Sequence, residues 1–164
     1  MNTQIESGLD EISWQILEAL QEDARIPYSE LGRRIGMSPP AVAERVRRLE
    51  EDGIITGYRA EINLDRVGFP ILAYIRLQAG EDCQSTGQTI VRTIPEVLEC
   101  YRVTGTDDYI MKAATYSVSA LESLIDRVAS HGSCITSLVL STPLESRIIR
   151  KGLGIKDLHL QPNQ

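Results

Sequence analysis

The chain has 164 residues, 42% of them hydrophobic and 24% charged, with a formal net charge of -6 and a sequence pI of about 5.0. That length builds one medium domain or two small ones, and the balance is ordinary for a soluble globular protein. The acidity argues against non-specific nucleic-acid binding by the chain as a whole, while leaving room for a local basic face.

Residues 9–23, LDEISWQILEALQED, place Leu9, Ile12, Ile16 and Leu20 at three- and four-residue spacing, with Leu17 beside them, which predicts a helix. Trp14 lies off that stripe and reads as a partly exposed or interface residue. Pro27 ends this segment, and Ser29 is the expected N-cap of a short helix over residues 30–35 with Leu31 and Ile35 as its core pair. Gly36 is the expected left-handed terminator. Ser38 then caps a third helix, and Pro39 suits its first position, where no N–H partner is lost. Helix, short helix, glycine-containing turn and capped helix make a helix-turn-helix.

The faces of the third helix test that reading. At about 100° per residue, Val42, Val46 and Leu49 fall on one buried stripe. The opposite side carries Pro40, Ala43, Glu44 and Arg47, with Arg48 on the flank. Arg45 sits near the edge of the stripe, placed to pair with a carboxylate of its own domain. A charge run on a helix is ordinarily a solvated face. Here, however, residues 33–48 hold five arginines (33, 34, 45, 47, 48) against one acid, Glu44, and the acids Glu50, Glu51 and Asp52 follow only afterwards. Basic charge is concentrated where a helix-turn-helix meets DNA. Beyond Gly53, the β-leaning runs 54–56 and 58–62 flank Gly57 and predict a small wing. The first domain is thus read as a winged helix over residues 1–62, with 63–70, including DRVGFP, as linker.

From residue 71 the pattern changes. ILAYIRLQAG (71–80) alternates like a strand, residues 85–94 read as a helix stopped by Pro95, and VLECYRVTG and YIMKAATYS are two strands joined by a short turn. Leu121, Leu124, Ile125 and Val128 make a helix stripe, and ITSLVLST (135–142) is a fourth strand. The order β-α-β-β-α-β is the ferredoxin-like unit, so the fold class is α+β. Both helices then cover one sheet face, and the other needs a cover such as a second copy of the chain. This domain is assigned residues 71–152, with 144–152 as a possible edge strand and 153–164 as a C-terminal tail.

These pieces match a known pattern. LDEISWQILEALQEDARIPYSELGRRIGMSPPAVAERVRRLEEDGIITGYRAEINLDRVG, and within it GMSPPAVAERVRRLEEDGIITGY, together with VLECYRVTGTDDYIMKA and TSLVLS, resemble the Lrp/AsnC (feast/famine) family of transcription regulators over about residues 8–150. Ser13 and Trp14 depart from the family pattern, which has Asp and a basic or polar residue there, and SHGSCITS is about two residues shorter than usual. The resemblance implies a winged helix that binds double-stranded DNA. It also implies a C-terminal RAM domain that dimerises, with dimers assembling further, commonly into octamers. Small effectors, often amino acids, are implied between dimers.

On that footing Ser38, Pro39, Pro40, Ala43, Glu44 and Arg47 are the candidate groove-facing residues, with Arg47 placed to read guanine. Glu44 either accepts from cytosine or repels wrong sites. Arg33, Arg34 and Arg48 are candidate phosphate contacts that position without specifying. Gly105, Thr106, Asp107, Asp108 and Tyr109 read either as a tight hairpin turn or as an effector site. In the second reading Gly105 admits a ligand, turn N–H groups hold a carboxylate, and Asp108 or Asp107 pairs with an α-ammonium. Tyr101 and Tyr109 then wall the pocket and Thr136 donates a hydroxyl.

Several classes find little support. His131 and His159 are the only histidines and stand far apart, no nucleophile–base pair occurs, and no metal site, cofactor or catalysis is expected. Cys83, Cys100 and Cys134 lack metal or disulfide-framework spacing and read as reduced, mostly buried thiols. The first residues lack a signal-peptide pattern, and no apolar run approaches the roughly 20 residues of a membrane span, so a cytoplasmic protein is expected. The alternatives to a sequence-specific regulator are a weakly specific, chromosome-organising DNA binder and a winged helix used for protein contacts.

Overall fold

The computed structural model describes residues 9–80 and 83–152, without the side chains of 83 and 84. The assigned tail 153–164, residues 1–8 of the first domain, His159 and the expected thiol environment of Cys83 lie outside the described residues. The chain divides into two compact units, one of residues 1–60 with 144–164, the other of residues 61–143.

The first unit holds helices α1 (Glu11–Glu22), α2 (Tyr28–Ile35) and α3 (Pro39–Glu51). Asp10 caps α1, its carboxylate accepting from Ser13 N–H at 2.8 Å. The start of α2 differs from expectation. Pro27 is its N-cap and Ser29 lies inside the first turn. The reason is local: the Pro27 backbone is preset in the extended region, and its carbonyl accepts from Glu30 and Leu31 N–H, each at 2.9 Å. Gly36 ends α2 at φ 72, as the left-handed terminator. Ser38 is the N-cap residue of α3, but its hydroxyl makes no cap hydrogen bond. Two prolines occupy the first two helical positions, so a principal donor that a capping hydroxyl would serve is missing.

Ile16, Leu20, Ile26, Leu31, Val42, Val46 and Leu49 form the core of this unit, with Leu9, Ile12, Leu17, Ile35 and Met37 packed against it. The expected wing does not form strands: residues 54–62 are unpaired by any ladder. Ile54 and Ile55 N–H both donate to the Leu49 carbonyl at 2.9 Å, folding the chain back on the end of α3. Past Gly57, at φ 151, Tyr58 and Ile62 stay exposed.

Residues 144–152 are no edge strand either. They run along α1. The Gln21 amide clamps the Ile149 backbone from both sides, donating to its carbonyl at 3.0 Å and accepting from its N–H at 2.8 Å. Arg150 lies 3.8 Å from both Glu18 and Glu22, and Lys151 pairs with Glu11 at 2.5 Å. Acids spaced along the outer face of α1 thus meet cations of the returning segment.

The second unit is a four-stranded antiparallel sheet, β1 (Ile71–Ala79), β2 (Val97–Arg102), β3 (Tyr109–Thr115) and β4 (Gly132–Leu138), in spatial order β2-β3-β1-β4. Helices α4 (Cys83–Thr93) and α5 (Val118–Ala129) complete the β-α-β-β-α-β order. The fourth strand starts three residues earlier than its β-leaning run suggests. Gly132, at φ 154, pairs with Ala79, and a Cβ there would collide with the Gln78 carbonyl. Ala73, Ile75 and Leu77 of β1, Tyr109, Met111 and Ala113 of β3, and Ile90, Ile94, Leu121, Leu124 and Val128 of the helices make one core. Cys100 and Cys134 pack against it half-buried, form no disulfide, and have their thiol pKa values raised by burial.

Strand alternation puts the other residues on an open face. The registers align Tyr101, Ile110, Arg76 and Ile135 in one row across all four strands, and Glu99, Lys112, Tyr74 and Ser137 in the next. Tyr74, Tyr101 and Ile135 are 41%, 56% and 54% exposed, which makes this a half-apolar surface without a cover.

Candidate functional site

The start of α3 presents Ser38, Pro39 and Pro40 exposed, and its outward side carries half-buried Ala43 and Glu44 and exposed Arg47 and Arg48. The opposite stripe is sunk in the core, with Val42, Val46 and Leu49 at 0%, 1% and 4% exposure. The helix is therefore held by its apolar side with the other side free. Arg33 and Arg34 project from the last turn of α2, beside the Gly36 turn.

The arginines of this face are not bare. Arg47 grips Glu44 through two nitrogens, Nε to Oε2 at 3.0 Å and Nη2 to Oε1 at 2.8 Å, and also reaches Glu51. Arg48 Nε donates to Glu44 Oε1 at 3.0 Å. On α2, Glu30 accepts from Arg33 at 2.6 Å and from Arg34 at 3.0 Å. Hydrogen bonds from Arg47 and then Arg48 hold the Glu44 carboxyl down to about 2, and those from Arg33 and Arg34 lower Glu30. The sequence reading set Glu51 after the basic run and paired neither Glu30 nor Glu51 with these arginines, although their three- and four-residue spacing is the pattern of a helical ion pair.

Arg45 is tied back to its own unit. Its Nη1 donates to Asp10 Oδ2 at 2.5 Å and to Ser13 Oγ at 3.2 Å. The Asp10 carboxyl is lowered from 3.8 to about 2, first by its hydrogen bonds with Ser13 and Arg45. A carboxylate depressed by folding stabilises above its ordinary value, and that contribution is lost as pH falls through the folded value. We expect Asp10→Asn, which keeps the cap acceptor, to melt below the wild type at neutral pH. The gap should close as pH falls from about 4 towards 2. Thermal melts across that range check this.

In the second unit the candidates divide. Gly105 and Thr106 are exposed at the turn, Gly105 at φ 122 with open space where a Cβ would stand. Asp108 is committed to the scaffold. Its carboxylate accepts from Ala79 N–H at 2.9 Å, its N–H donates to the Leu77 carbonyl at 2.9 Å, and its carbonyl accepts from Val103 N–H at 2.9 Å. The first preference for the ammonium partner is therefore corrected: Asp108 fastens the turn to the end of β1. Asp107 instead lies 3.8 Å from Arg76 of the open face.

Two further assignments are corrected. Tyr109 is a core residue, 5% exposed, stacked where Gly87 of α4 leaves room. Thr136 pairs with Ile75 and shares its helix-covered side, with Oγ1 buried. Tyr101, by contrast, is on the open face, so Tyr101 and Thr136 stand on opposite sides of the sheet. Gly105, Thr106, Asp107 and Tyr101 remain, joined by Arg76, which the sequence reading missed.

Among the described residues, no group of three or more His, Cys, Asp or Glu side chains could hold a metal ion, and no helix is long and apolar enough to cross a membrane.

The AsnC-type helix-turn-helix domain matches residues 9–50, and the Lrp/AsnC ligand binding domain matches residues 72–149. The chain is 33% identical over 133 residues to the transcriptional regulator LrpC of Bacillus subtilis, covering 81% of this chain and 92% of that protein. It is 37% identical over 120 residues to the leucine-responsive regulatory protein of Escherichia coli, covering 71% and 73%. Its fold superposes on the solved structure of B. subtilis LrpC with a TM-score of 0.79 at 32% identity, covering 84% of this chain and 99% of that one. A Neisseria meningitidis transcriptional regulator in complex with L-Met gives 0.80 at 30% identity, covering 86% and 96%. With a helix-turn-helix whose outward side carries the arginines, a sheet domain matching the Lrp/AsnC ligand binding domain later in the chain, and transcriptional regulators rather than enzymes among its relatives, the chain belongs to the Lrp/AsnC family of transcription regulators.

Proposed function

We propose that the protein is a sequence-specific DNA-binding regulator, acting in the cytoplasm, whose assembly or DNA binding responds to a small effector, an amino acid. The observation that carries the DNA reading is the outward side of α3. Five α3 residues named from the sequence (Pro40, Ala43, Glu44, Arg47, Arg48) lie off the buried stripe, behind a helix start preset by two prolines. Arg47 reads guanine and Arg33, Arg34 and Arg48 take phosphates, while Ser38, Pro39, Pro40 and Ala43 set how closely α3 approaches the groove.

One such face makes few phosphate contacts and is weak at physiological salt. Two or more copies, joined through the open sheet face, turn later contacts into intramolecular ones and raise avidity about 10²–10⁴-fold. That is how an acidic chain grips an acidic polymer. The dimer, and a higher assembly of the octameric kind, belong to this proposal.

The effector reading rests on the exposed turn. Turn N–H groups about Gly105 and Thr106 receive a carboxylate, Asp107 receives the α-ammonium, and Tyr101 and Arg76 border the site from the open face. A ligand between dimers shifts assembly by its differential affinity for the two states. The L-Met complex of a structural neighbour and the leucine response that names the E. coli relative favour an amino acid.

One experiment tests both halves: sequencing the genomic fragments retained by the purified protein, with and without each amino acid. A recurring motif whose recovery changes with one amino acid is the expected result. Dense, motif-free recovery supports the chromosome-organising alternative, and no recovery at low salt overturns the DNA reading.

A further inference from the structure

The face assigned to DNA carries its own counter-charges. Arg33, Arg34, Arg47 and Arg48 meet three carboxylates, Glu30, Glu44 and Glu51, all on the same two helices. Glu44 is the shared partner. It takes both the Nε and Nη2 hydrogens of Arg47 and the Nε hydrogen of Arg48. It stands one helical turn before them, in the middle of the outward side, and its residue is half-buried while both arginines are exposed.

A phosphate that recruits Arg47 or Arg48 must therefore draw the guanidinium away from a carboxylate that stays close by and repels the phosphate. This opposition is identical for every base sequence. Exposed ion pairs are individually weak, so a site that also supplies matched base edges still wins. A duplex offering phosphates alone gains little from the same arginines, because non-specific binding is almost wholly phosphate neutralisation. Specificity is a difference between affinities and is raised as well by penalising the wrong partner as by improving the right one.

We propose that Glu44 is a specificity-determining residue that withholds Arg47 and Arg48 from the phosphate backbone, so that only a duplex with matched bases recruits them. This rests on the DNA reading above. It assigns Glu44 a task distinct from accepting a hydrogen bond from cytosine, and it makes the intrahelical pairs part of recognition instead of surface decoration.

The test is Glu44→Gln, which keeps the length and helix preference of the side chain and removes its charge. Affinity of the full-length protein for a short random-sequence duplex, and for the most strongly retained genomic fragment, is measured across a salt series, with Glu122→Gln on α5 as a control for overall charge. The expected result is random-duplex binding roughly tenfold tighter, with a salt dependence steeper by about 0.9 for each arginine released. Affinity for the retained fragment changes less, and Glu122→Gln matches the wild type. Unchanged random-duplex affinity and salt slope overturn the inference and leave the DNA reading intact. A loss confined to the retained fragment also overturns it, and identifies Glu44 as a base reader. No duplex binding by wild type and variant alike removes the DNA reading, and this inference with it.

Discussion

If copies join through the open sheet face as proposed, Ile135→Lys is expected to give a monomer whose affinity for its DNA site is lower by about 10²–10⁴-fold, the avidity that linked copies supply. Ile135 stands on β4, 54% exposed, directly across from Arg76 in the row that runs through Ile110 to Tyr101. A lysine there sets two like charges side by side on the half-apolar face, one on the edge strand β4 and one on β1. Neither charge can be buried against a second sheet without a partner. In the lone chain the same lysine is solvated, because the position faces outward, so circular dichroism should match the wild type, while the melt falls by the stabilisation that association supplied. Sedimentation and DNA titration at one protein concentration read the effect. A variant that stays dimeric places the dimer contact elsewhere, and a monomer with undiminished affinity removes avidity from the mechanism.

Gly32→Ala destabilises the first unit by about 1–3 kcal/mol, the range for forcing extra volume into a packed site. A Cβ at position 32 would collide with the Met37 carbonyl oxygen and press on Val42 Cγ2 at 3.4 Å. The carbonyl belongs to the turn backbone, so relief requires α2 and α3 to move apart. Met37 N–H donates to the Gly32 carbonyl at 2.8 Å, and that bond is strained by the same movement. Because this turn sets the placement of α3 on α2, DNA affinity should fall even where the protein remains folded. Denaturant melts and DNA titration check the two parts. An unchanged melt would mean that the turn yields at no cost. Ala43→Gly on the outward side is a useful contrast, since it loses only about 1 kcal/mol of helix preference.

The helix-turn-helix was legible because its signals are local. Ser38, Pro39 and Pro40 mark a helix start from neighbouring positions alone, Gly36 marks the preceding stop, and the stripe of Val42, Val46 and Leu49 follows from helical geometry. The ferredoxin-like order was legible for the same reason, since each strand and helix announces itself within a few residues. Failures came where the deciding neighbour is distant. Tyr109 was assigned to a pocket because tyrosines suit pockets, yet its ring is inside because Gly87, on another element, leaves space for it. Thr136 follows the phase of a strand whose register is set by its pairing with Ile75. Asp108 and Asp107 are neighbours in sequence, and only the end of β1 distinguishes the fastener from the half-buried partner of Arg76. The wing was misread because isoleucines lean towards strands, while a strand also needs a partner ladder, which residues 54–62 lack.

The clasp of Gln21 on the backbone of Ile149 spans 128 positions of the polypeptide. A ribosome delivers Gln21 long before Ile149, with the whole second unit made in between. The helix-turn-helix thus emerges early but acquires these contacts only after the second unit has been made. Until then Trp14 and Tyr58 border a groove that Ile149 later helps to line. A nascent chain can assemble its helix-turn-helix at once, and it is fastened only after the sheet has been synthesised too.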